Sequence, residues 1–220
     1  MNIYNKVYFV LLFITLISYL GGFGKKPRYV RMVILLMILW FFTSAVAIYL
    51  VKYGGLTNNL FVFHISTPLE YVILSMLFRD VIVNKAIKRI ILLSVPFFVA
   101  LSVLFSVFIQ PVDTNNSNII IIESVILVFI SLFFLREILL LQQVTVLHRF
   151  PMFWICVGIL FYYTGNLVIE GMLNYMIRQS MELARRTYRF GYIFKYLLFI
   201  LFIIGAFCSK SPRLLTKKEQ

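Results

Sequence analysis

Tyr162, Asn166, Glu170 and Asn174 follow one another at i, i+4, i+8 and i+12 within the apolar stretch FWICVGILFYYTGNLVIEGMLNY. That spacing places all four on one face of a single helix, while Ile, Leu, Phe and Val fill the other faces. The stretch is long enough to cross a bilayer, which takes about 20 mostly apolar residues. A carboxyl group at membrane depth costs roughly 3 kcal/mol unless it faces protein or water, so the polar stripe must look into a helix bundle. Two other apolar stretches carry polar groups of the same kind: His64, Ser66, Thr67, Pro68 and Glu70 in one, Glu123 and Ser124 in the other. Carboxylates, an imidazole, a phenol and an amide in one bundle suit three kinds of chemistry: binding a small polar ligand, passing a cation, or relaying a proton. Hydrogen-bond glue between helices, at about 0.6 kcal/mol per contact, accounts for Thr67, Ser124, Tyr162 or Asn166 taken singly, but glue does not require ionisable groups. The candidate binding residues are therefore His64, Thr67, Glu70, Glu123, Tyr162, Asn166 and Glu170.

The elements that would position them are read from composition and hydropathy. Of the 220 residues 62% are hydrophobic and 13% charged, against about 25% charged in a soluble domain. Seven apolar segments are predicted, at about 7–20, 32–51, 60–78, 90–109, 119–135, 153–175 and 192–208, each read as a spanning helix. The expected fold is an all-α, integral membrane seven-helix bundle over residues 1–208, with a short basic tail at 209–220. Little chain is left between the segments, so a separate soluble domain of the usual ~100 residues is excluded. The net charge of +13 comes from Lys and Arg in short connections, which reads as a topology signal and not as a nucleic-acid surface. The first segment, although preceded by Lys6, lacks an A-x-A-type cleavage site and is kept as a spanning helix.

Cations on alternate sides predict an orientation. Lys25, Lys26, Arg28, Arg31, Arg79, Lys85, Lys88, Arg89, Arg136 and Arg149 fall on one side, and only Lys6 and Lys52 on the other through the fifth helix. By the positive-inside rule the N-terminus lies outside and the C-terminus in the cytoplasm. The connection at 176–191, with Arg178, Arg185, Arg186 and Arg189, runs against this pattern; its arginines either fold over the mouth of an outward-facing polar cavity or form a basic amphipathic turn at the headgroups. At 1.5 Å per residue Glu123 and Glu170 are expected roughly 7 Å below the outer boundary and Glu70 roughly 15 Å down. Pro68 is expected to kink the third helix there. The fifth helix is expected to continue past the membrane over 136–143 as an amphipathic extension.

No G-x-S-x-G, H-E-x-x-H or nucleophile with a base at recognisable spacing is present. Cys156 and Cys208 lie in apolar segments and belong to no CxxC or Cys/His cluster, so no metal is assigned and no cofactor is identified. His148, beside Arg149, is read as a solvated edge residue.

The stretches FPMFWICVGILFYYTGN, SLFFLREILLL and HISTPLEYVILSMLF resemble the seven-helix membrane module of small Bacteroidetes-type integral membrane proteins, which occurs alone or fused to a sensor histidine kinase. The resemblance covers most of the chain and places the family-like positions at Pro68, Glu70, Trp154, Tyr162, Gly165 and Asn166. It implies a signalling component in the bacterial inner membrane. With about a dozen residues after the last helix, any sensor kinase or regulator is expected to be a separate polypeptide. The function expected is a non-enzymatic membrane sensor that binds a small ligand in the outward-facing cavity. The alternatives are a small ion- or proton-coupled channel or transporter, and an intramembrane lipid-modifying enzyme. Membrane lipid is the expected surrounding partner, nucleic acid is not one, and homo-oligomerisation is left open.

Overall fold

A computed structural model describes residues 3–21, 27–56, 58–140 and 147–208, with the side chain of Asn174 outside the described set. The described chain is all-helical: α1 (Ile3–Leu20), α2 (Arg28–Lys52), α3 (Phe61–Val81), α4 (Lys85–Phe108), α5 (Ser117–Leu140), a single 3-10 turn (Leu147–Arg149), α6 (Pro151–Gln179) and α7 (Met181–Cys208). All seven helices are long and apolar enough to cross a membrane. Lys25 and Lys26, the end of the 136–143 stretch and the 209–220 tail lie outside the described residues.

Six helices close a ring in the order α1, α2, α3, α5, α6, α7 and back to α1, and α4 stands outside it against α3. The burial pattern follows from this. In α4 only Ile91, Phe98 and Ser102 are buried, at helical spacing on the side toward α3, whereas α3 buries nine residues on several faces. The α6–α7 pair packs tightly because small residues let the backbones approach: Gly158 lies under Leu198, Leu201 and Phe202, and Gly165 under the ring of Phe194. Hydroxyls tie α1 to α7, Tyr19 donating to the Phe202 carbonyl at 2.9 Å and Tyr192 to Asn5 Oδ1 at 2.5 Å.

Local chemistry sets the helix ends. Asn84 caps α4 by accepting from the amides of Ala86 and Ile87. Glu137 of α5 accepts from the amides of Val83 and Asn84, both at 2.8 Å, and so fastens the α3–α4 turn to α5. Pro151 opens α6, where its missing N–H removes no helical bond.

One expectation changes. The stretch at 176–191 is not a loop: α6 continues to Gln179 and α7 begins at Met181, with Ser180 alone in extended conformation. Its arginines interrupt the hydropathy without breaking the helix, because Arg is a good helix former. Pro68 lies inside α3, and the hydroxyls of Ser66 and Thr67 both turn back to the Phe63 carbonyl beside it.

Candidate functional site

A cavity of about 110 Å³ lies inside the ring. Its wall brings together Glu70 from α3, Glu123 from α5, Tyr162, Asn166 and Glu170 from α6, and Lys195 from α7, with Tyr8, Trp40, Ser44 and Phe199 completing it. It adjoins a wider vestibule of about 490 Å³, and the two share Tyr8, Ser44, Glu170, Tyr188, Tyr192 and Lys195. The vestibule reaches Asn5 near the start of α1, Ala47 and Ile48 late in α2, Asn59 before α3 and Asn115 before α5. Those residues all belong to the end of the bundle that carries the chain's N-terminus.

The ionisable groups differ in how they are satisfied. Glu70 accepts a hydrogen bond from the Tyr163 hydroxyl. Glu170, 7% exposed, accepts through Oε2 from the Asn115 amide at 3.1 Å. Glu123 is 2% exposed and its Oε1 is sealed from solvent without a hydrogen-bond partner among the described residues. The Lys195 ammonium lies 5.7 Å from the ring centre of Tyr8 and 5.9 Å from that of Tyr162, where the π faces attract it. The ion pairs found among the described residues are Arg28–Asp80 and Arg186–Glu182, so Lys195 has no carboxylate within 4.0 Å. Glu70 and Glu170 act on it over a longer range.

Thr67, Glu70, Glu123, Tyr162, Asn166 and Glu170 all stand on the cavity wall. His64 does not. It is buried, with Nε2–H donating to the Thr114 carbonyl at 3.1 Å and Nδ1 paired with the Ser106 hydroxyl at 2.8 Å. Both ring nitrogens are thereby committed to holding α4 and the segment before α5, and none is left for a ligand. That segment is fastened at further points: Asn58 donates to the Asp113 carbonyl at 3.3 Å, Asn115 reaches Glu170, and Asn116 donates to Thr67 Oγ1 at 3.5 Å. His148 is exposed, and its carbonyl accepts from the Trp154 indole. Arg185 and Arg189 line a cleft between α6, α7 and the start of α1 that shares Asn5, Leu173, Ile177, Tyr188 and Tyr192 with the vestibule, while Arg186 pairs with Glu182. Among the described residues no three His, Cys, Asp or Glu side chains group as a metal site would require.

Lys195 is the wall residue that sequence reasoning missed. The signal was present, since it is the only cation in the apolar run 192–208, and an ionisable residue inside a span marks a site by the same criterion that selected the glutamates. Tyr8 and Trp40 had no comparable signal, because buried aromatics are common in any core. No family model, curated protein or solved structure matches the chain.

Proposed function

We propose that the protein is a multi-pass membrane sensory component that admits a small polar ligand through the vestibule and signals to a separate partner at the C-terminal end of the bundle. In this reading the N-terminal end faces outside, the C-terminal end faces the cytoplasm, and the membrane is the bacterial inner membrane. One observation carries it: four ionisable side chains from α3, α5, α6 and α7 line one cavity that adjoins a vestibule at a single end of the bundle. A ligand held among Glu70, Glu123, Glu170 and Lys195 bears on four helices at once, and a shift in their packing is the means by which such bundles signal. The resemblance to a module that occurs fused to sensor kinases agrees with this reading.

The test is thermal unfolding of the purified full chain in nanodiscs against a panel of small charged and polar solutes. A ligand at 100 times its Kd raises stability by about 2.7 kcal/mol. The expected result is dose-dependent stabilisation by members of one chemical class, lost in Lys195→Met and in Glu170→Gln. A panel that leaves the unfolding temperature unchanged throughout would remove the binding reading.

Proton- or cation-coupled transport is the second reading, favoured by the buried Glu123 carboxylate close enough to Glu70 for the two to interact. Proteoliposomes separate the two readings, since a transporter dissipates an imposed proton or cation gradient and a sensor leaves it standing.

A further inference from the structure

We infer that the ligand is a small zwitterion, its anionic group set against the Lys195 ammonium and its cationic group against the Glu123 carboxylate. The inference rests on the cavity being a ligand site and adds which ligand it takes. It follows from which polar groups are left over. Glu70 has the Tyr163 hydroxyl and Glu170 has the Asn115 amide, so two of the three carboxylates already hold neutral donors. Glu123 and Lys195 line the same cavity, yet neither has a hydrogen bond or an ion pair among the described residues.

Glu123 is 2% exposed, and a buried charge is kept only when something compensates it; the half-buried Lys195, facing the same space with the opposite charge, would ordinarily close onto it. Here they are held apart. Lys195 is propped over the rings of Tyr8 and Tyr162, and Glu123 belongs to another helix. A simple anion would answer Lys195 and leave Glu123 unpaired; a simple cation would do the reverse. A molecule carrying both charges answers both. The cavity of about 110 Å³ restricts the link between the charges to a few carbons, and Trp40 and Phe199 offer apolar surface to such a link.

The experiment is isothermal titration calorimetry on the full chain in nanodiscs. The probes are glycine, β-alanine, γ-aminobutyrate and 5-aminopentanoate, with butyrate and butylamine as single-charge analogues. One chain length is expected to bind at least about tenfold more tightly than either analogue, the equivalent of one modest ion pair. In Lys195→Met its advantage over butylamine should vanish, and in Glu123→Gln its advantage over butyrate. Should a variant fail to fold, the wild-type series decides alone. Butyrate or butylamine binding as tightly as the best amino acid would overturn the zwitterion while leaving a ligand site intact. An amino acid whose affinity survives both substitutions would overturn it too. If none of the six compounds binds, the zwitterion falls; if the solute panel is silent as well, so does the ligand reading.

Discussion

Tyr163 on α6 donates its hydroxyl hydrogen to the carboxylate of Glu70 on α3, joining residues 93 positions apart in the chain. Tyr163 is 1% exposed and Glu70 half-buried, so the donor end of the bond is shut off from bulk water. Removing the hydroxyl leaves the carboxylate short of a donor, which costs about 2 kcal/mol for a buried hydrogen bond to a charged group. Tyr163→Phe is expected to lower stability by that order in denaturation from mixed detergent micelles. In a Glu70→Leu background the same substitution should cost much less, and equal losses in both backgrounds would show that the bond is not what holds the two helices.

Gly165 is expected to tolerate no side chain. A Cβ there would run into the ring of Phe194 well inside van der Waals contact, and overpacking of this kind costs about 1–3 kcal/mol. Gly165→Ala should therefore destabilise the protein, and Phe194→Ala should recover part of the loss when the two are combined. Thermal unfolding of the two single variants and the double variant checks this, with an unrecovered double variant counting against the contact.

Glu137 is expected to matter through its two backbone partners rather than through charge pairing. Its oxygens accept from Val83 and Asn84 at 2.8 Å each. Glu137→Ala frees both amides at the start of α4 and should cost about 1–2 kcal/mol given partial exposure, while Glu137→Gln, which keeps one carbonyl oxygen, should cost less. Equal effects from the two substitutions would refute the bidentate role.

Orientation is open to direct labelling. Asp113 is exposed in the segment between α4 and α5, at the vestibule end. With Cys208 replaced, Asp113→Cys is expected to react with a membrane-impermeant thiol reagent in intact cells. Reaction only after lysis would place the vestibule on the cytoplasmic side and reverse the direction of the proposed signal.

The seven spans were legible because each is an apolar run with polar punctuation, and hydropathy needs no knowledge of packing. Six polar wall residues were legible for a related reason: Thr67, Glu70, Glu123, Tyr162, Asn166 and Glu170 are polar groups at membrane depth, and these must face protein. The part played by His64 was not legible. It shares the depth and polarity of the wall residues, and only the course of the segment carrying Thr114 shows that its nitrogens are taken. Nor was the helicity of 176–191, where arginines lowered the apolar signal while leaving the backbone free to continue. The ring order with α4 outside depends on which faces meet, and α4 shows this only as the span with the smallest buried share.

The outlying position of α4 has a mechanical side. The span with the smallest buried share is also the one whose return to the ring passes directly into Asn115 and Asn116, the residues that touch Glu170 and Thr67. A sideways displacement of α4 would therefore pass, through fewer than ten residues from Phe108 to Asn116, to the two side chains that hold Glu170 and Thr67 on the cavity wall.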